Sequence, residues 1–184
     1  MFVLVENNSV TKTVPTNKGI TIGENQYPRS IYSVWTQAER EAIGIYEVVY
    51  DNSNRKHDHY YSNTNQSLNF ADGKVTASYG SATAKELADT TVNDIVTPGL
   101  KSQHKENIKQ QASGLISLTD WYIIRKADAG TAVPDATVTY RAAVRTASND
   151  MEVLIDACST VDELAALYIY TNGTRPLGEF PEAV

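Results

Sequence analysis

The hydrophobic period of this chain changes once, near Thr97, and that change limits the fold more than any other feature. Ahead of it, apolar residues come in short alternating or β-branched runs cut by Asn, Asp and Gly, the signature of strands joined by tight turns. Behind it, they recur at i, i+3 and i+4, the spacing of amphipathic helices. Strands followed by helices predict an α+β chain. Its parts are a small antiparallel β-rich region over residues 1–95 and a helical region over residues 96–184.

In the first region, Phe2–Val5 and Val10–Val14 flank "ENNS", whose Asn7 and Asn8 suit a hairpin turn. "MFVLV" is stopped by Glu6, too short for a signal peptide or a membrane span, and predicts a first strand. "WTQAEREAIG" predicts a short helix, with Thr36 and Glu39 at capping-box spacing and Gly44 at its C-terminal end. Ile45–Tyr50 reads as a strand, "DNSNRKHD" as a loop, and "HDHYYS", "SLNF" and "KVTASYG" as further strands with a turn at Asp72–Gly73.

In the second region, Leu100, His104, Ile108, Ala112 and Leu115 share one face of a helix over about 98–118, opposite Lys101, Lys105 and Lys109. A corner at Thr119–Asp120 leads to a helix over 134–146. Another starts near Asp150, with Leu154, Ile155 and Cys158 inward. Thr160 and Glu163 form a second capping box, and the tail "TNGTRPLGEFPEAV" reads as a surface strap or a wandering end.

Charge and chemistry then exclude classes. A net charge of −6 with a pI near 5.0 argues against a nucleic-acid partner, which needs clustered Lys and Arg. No membrane partner is expected. Cys158 is the only cysteine, so no internal disulfide and no Cys-based zinc site can form, which fits synthesis in a reducing cytosol. His57 and His59, at i and i+2, would share a face on a strand and are the one candidate metal or enzyme site, but a third ligand is missing. His104 reads as a buried, hydrogen-bonded histidine. No nucleophile elbow, phosphate loop or H-E-x-x-H occurs, so neither catalytic residues nor a cofactor is expected. The supply of 11 Tyr, 3 Phe and 2 Trp serves either a small core or an interface.

One stretch carries a resemblance. A helix ending "LISLTDWYII", a loop with Pro134 and then "YRAAVRT" resembles the tail assembly chaperone domains of tailed bacteriophages, whose pattern is a helix, a Thr/Ser-Asp-Trp turn, a proline loop and Tyr-Arg-x-x-Leu-Arg. Thr119, Asp120, Trp121, Tyr140, Arg141 and Arg145 match it, with Val144 in the Leu place. "WTQAEREAIGIYEVVYD" and "GKVTASY" look like the N-terminal halves of small phage tail-associated proteins. The resemblance implies a bacteriophage virion protein of the tail or tail-fibre attachment region, made in the host cytoplasm and working by contact with tail or fibre proteins in a homo- or hetero-oligomer. A non-virion tail-fibre assembly chaperone is the alternative it implies. Two further helical segments beyond the Tyr-Arg helix favour the structural component. Asp120, Trp121, Tyr122, Tyr140, Arg141 and Arg145 are the motif and partner residues. Physically they suit a corner: Asp120 receives a donor at the turn, Trp121 plugs the crevice between helices, and Arg141 and Arg145, one turn apart, reach acidic groups.

Overall fold

The structure is a computed structural model that describes residues 1–183, and it is α+β. Two compact units, Met1–Thr83 and Ala84–Val184, divide ahead of the hairpin at 90–97, which the hydrophobic pattern assigns mostly to the strands.

The first unit starts with a hairpin of β1 (Phe2–Glu6) and β2 (Ser9–Val14). Its turn residues Asn7 and Asn8 lie at φ 51° and 60°, a conformation that Asn tolerates and a two-residue hairpin requires. There follow β3 (Ile20–Ile22), β4 (Asn25–Tyr27), a 3-10 turn at Arg29–Tyr32, α1 (Gln37–Ala42), β5 (Ile45–Asp51), β6 (Tyr61–Ser62), β7 (Gln66–Ala71) and β8 (Lys74–Tyr79). Five strands form one sheet in the order β2-β1-β5-β8-β7.

That sheet departs from the expected antiparallel one, because β5 and β8 run parallel with Val48 opposite Val75. The cause lies in the β7–β8 hairpin, which folds antiparallel over Asp72–Gly73. Its apolar arm, with Val75 and Ala77 buried, joins the interior of the sheet. Its polar arm, with Gln66, Ser67 and Asn69 exposed, takes the edge, where unpaired backbone meets water. Seating the second arm beside β5 reverses its direction relative to a simple meander.

Alternation along β1 gives the unit two buried faces. Val3 joins Val48, Val75 and Ala77 on one, while Leu4 joins Val14, Ile20, Ile31 and Ile45 on the other. The capping box of α1 is formed: the Glu39 N–H donates to Thr36 Oγ1 at 3.3 Å and the Thr36 N–H to the Glu39 carboxylate at 2.7 Å. The backbone and side-chain bonds from Thr36 hold the Glu39 carboxyl below the usual carboxylate range.

Gly44 then turns the chain into β5 at φ 83°, and a Cβ there would stand 2.8 Å from the Val5 carbonyl oxygen. The Val5 N–H also donates to the Gly44 carbonyl at 2.8 Å, so the two backbones cannot move apart without loss. Gly44→Ala is expected to destabilise the unit by about 2 kcal/mol, through a left-handed conformation that L residues avoid and through the clash. Urea unfolding with a lower midpoint and an unchanged slope is the expected reading.

A two-residue strand, β9 (Thr83–Ala84), lies at the junction. The second unit continues with β10 (Thr90–Val92) and β11 (Ile95–Thr97), a hairpin on Asn93–Asp94, and then α2 (Leu100–Ser117), α3 (Asp120–Ala129), α4 (Asp135–Ala157) and α5 (Val161–Ala166). Helices α2 and α4 pack antiparallel, since Lys105 reaches Asp156 at 2.8 Å and Lys109 reaches Glu152 at 3.3 Å. Leu100, His104, Ile108 and Ala112 form the buried stripe of α2; Tyr140, Val144, Ser148, Met151 and Ile155 that of α4.

Two expectations change here. The helices over 134–146 and from 150 are one, because "TASND" at 146–150 contains no Gly or Pro and buried Ser148 carries the stripe across it. Within it Leu154 is exposed and Ile155 is buried, and Cys158, just past its end, is buried too. The tail is a strap: the Leu177 N–H donates to the Leu167 carbonyl at 3.0 Å, the Leu177 side chain is buried, and Arg175 pairs with Glu179 at 3.0 Å. The capping box of Thr160 and Glu163 starts α5 as read from the sequence.

Candidate docking site at the α2–α3 corner

The corner begins where α2 runs out of carbonyl partners. Thr119 closes it, donating from its backbone N–H at 3.0 Å and from Oγ1 at 2.8 Å to the Ile116 carbonyl. Arg141, one turn past the buried Thr137 of α4, comes in from the side. Its Nη1 faces three acceptors: the Ile116 carbonyl at 2.9 Å, Thr119 Oγ1 at 2.8 Å and Asp120 Oδ1 at 2.7 Å. With its side chain only 11% exposed, Arg141 acts as a latch that ties the end of α2, the turn and the start of α3 to α4. A guanidinium suits this task because its planar fork presents several fixed donors.

From this latch α3 leads away as a regular helix of ten residues, bracketed by Asp120 in its first turn and by Gly130, whose φ of 69° gives the left-handed end. None of its residues is buried. Trp121 is 50% exposed and Ile124 66%, with Ile123 and the preceding Leu118 also exposed. The expectation that Trp121 plugs the crevice between the helices is therefore wrong. That crevice is packed by Ala112, Leu115, Ile116, Tyr140 and Val144, and by Phe180 brought in by the tail strap.

What Trp121 does instead is stack. Its ring lies 3.7 Å from that of Tyr122, with 29° between the planes, and the Arg125 guanidinium sits 4.8 Å from the Trp121 centroid and 5.4 Å from that of Tyr122. Offsets of three and four residues place all three on one side of α3. Their rotamers are restrained before any partner arrives, which lowers the entropic cost of binding.

The other motif residues divide. Tyr140 is a core residue, 4% exposed, and its hydroxyl is buried with no hydrogen-bond partner. An unsatisfied buried hydroxyl costs about 1–3 kcal/mol, so Tyr140→Phe is expected to match or exceed wild-type stability in a thermal melt. Arg145 is exposed, donates to the Arg141 carbonyl at 3.3 Å, and lines an open groove of about 440 Å³ along α2 and α4 with Lys109, Ser113 and Glu152. It reaches no carboxylate among the described residues, contrary to the expected acidic partner within the chain.

The histidine pair is not on a strand. His57 and His59 lie in an exposed turn, in which the His59 N–H donates to His57 Nδ1 at 3.1 Å, Arg55 pairs with Asp58 at 2.6 Å, and Asn63 bonds Asp58 and the Lys56 carbonyl. Among the described residues no three His, Cys, Asp or Glu side chains gather as a metal site. Buried His104 shares a 2.6 Å hydrogen bond with the Tyr168 hydroxyl. Burial pushes the Cys158 thiol up, away from the thiolate that a nucleophile needs. No helix among the described residues is long and apolar enough to cross a membrane. The chain matches no known protein family, no curated protein and no solved structure.

Proposed function

We propose that this chain is a bacteriophage virion protein of the tail or tail-fibre attachment region, and that it works by protein–protein contact through α3. The observation that carries the reading is a rigidly latched helix with no buried residue and an exposed Trp, Ile and Leu surface. Such a surface marks an interaction site when it is contiguous and rigid. Thr119, Asp120 and Arg141, the residues behind the resemblance to phage tail proteins, are the ones that hold this helix in place.

The assembly chaperone is the competing reading, favoured by the same constellation of Thr119, Asp120, Trp121, Tyr140, Arg141 and Arg145. It uses the same surface to hold a tail component and then leaves. Mass spectrometry of purified mature particles separates the two. A virion component is present at a fixed ratio to other tail proteins, whereas absence from particles together with abundance in infected cells contradicts our reading and leaves the chaperone.

A further inference from the structure

The face of α3 that carries Trp121 also carries one charge of each sign. Trp121, Ile124, Arg125 and Asp128 stand at i, i+3, i+4 and i+7, a single stripe along the helix, while Lys126 points elsewhere. Neither Arg125 nor Asp128 forms an ion pair among the described residues, with each other or with any other group. Arg125 lies over the Trp121 and Tyr122 rings, and its Nε is buried without a hydrogen-bond acceptor. Asp128 is exposed near the C-terminal end of α3, where the helix dipole disfavours an acid. The stripe therefore has no net charge that would select a partner of one sign, but it has a direction: apolar, then positive, then negative.

We propose that α3 docks against α3 of a second copy of this chain, antiparallel about a two-fold axis that passes close to Arg125. This inference rests on the reading of α3 as a docking surface and names its partner. In an antiparallel pair the Arg125 guanidinium of each copy faces the Asp128 carboxylate of the other, and Trp121 and Ile124 of both helices fill the seam. A parallel pair would set arginine against arginine and acid against acid, so the charges choose the antiparallel arrangement. The same arrangement brings each Asp128 toward the N-terminal half of the opposite helix, where the dipole favours it. A guanidinium already held against aromatic rings loses little freedom on forming a two-point bond with a carboxylate. Because α3 has no buried residue, the two helices meet without disturbing the core. A ten-residue helix, about 15 Å long, buries much less than the roughly 800 Å² per partner of a stable interface, so the contact is weak between free molecules. It gains strength where copies are held side by side in an assembly.

The test is sedimentation of wild type, Arg125→Asp, Asp128→Arg and an equal mixture of the two variants, at concentrations up to about 1 mM, each variant first shown to melt like wild type. Wild type should pass from monomer to dimer as its concentration rises. Each variant alone sets like charges against each other and should dimerise at least about tenfold more weakly. In the mixture one copy carries two acids on the stripe and the other two arginines, so dimers should return to near the wild-type level. A wild type that stays monomeric throughout, variants that dimerise like wild type, or a mixture that recovers nothing would overturn the inference. If pairing fails while Trp121→Ala is still depleted from particles, the docking reading stands without the second copy. If copies pair but Trp121→Ala enters particles like wild type, pairing stands and the tail-attachment reading falls.

Discussion

Trp121→Ala is expected to leave the melting temperature of the isolated protein close to that of wild type while weakening binding to the proposed tail partner by about 2 kcal/mol or more, the loss seen at interface hot spots. The two outcomes separate because the indole is half exposed and lies outside the Ala112–Tyr140–Val144 cluster. A buried ring would instead leave a cavity and cost about 3–5 kcal/mol of stability. Truncation does remove the platform under Arg125, whose stacking is worth about 0.5–1 kcal/mol at an exposed site, so a small fall in the melt is within expectation. A large fall would show that Trp121 supports the fold.

Arg141→Ala is expected to have the opposite profile. It removes one of the donors to the Ile116 carbonyl, which keeps its bonds from Thr119, leaves Thr119 Oγ1 without its donor and releases Asp120, all at a site where the arginine is nearly covered. Hydrogen bonds from a charged donor contribute about 1.5–3 kcal/mol each, and these share one nitrogen, so a total cost of about 2–4 kcal/mol is expected. Asp120→Ala should cost less, because its side chain is half exposed and solvent replaces the lost partner. Urea unfolding of the two variants gives the comparison, and an Asp120→Ala effect equal to that of Arg141→Ala would show that the ion pair, rather than the bonds to Ile116 and Thr119, holds the corner. Binding should also fall in Arg141→Ala, since an unlatched α3 pays an ordering cost on docking.

Much of this was legible in the residues. Asn7–Asn8, Asp72–Gly73, the two Thr–Glu capping boxes and the four-residue stripe from Leu100 to Ala112 are local signals, each carrying its own geometry, and each marks an element found in the structure. What escaped depends on contacts distant in sequence. The parallel pairing of β5 and β8 follows from which arm of a hairpin is apolar enough for the interior, a choice made only when strands compete for places. Trp121 is exposed, and the crevice is packed instead by Phe180, far along the chain. No periodicity near Trp121 encodes that. Helix α3 itself had a readable start and stop in Asp120 and Gly130, but its apolar residues cluster at 121–124 instead of spacing along one buried face, which is why it read as a corner. The role of Arg141 was half visible: its distance from Asp120 could not be read from spacing, and the bond to Ile116 involves a backbone group that has no sequence signature.

The central claim is that the exposed face of α3, latched by Arg141, seats this protein in the phage tail. Quantitative mass spectrometry of mature particles assembled with either wild type or Trp121→Ala, the variant first shown to fold, tests it most directly. Wild type at a fixed ratio to the tail proteins, with Trp121→Ala depleted by at least about tenfold for a loss of 2 kcal/mol or more, is the predicted result. Equal incorporation of the two proteins would contradict it.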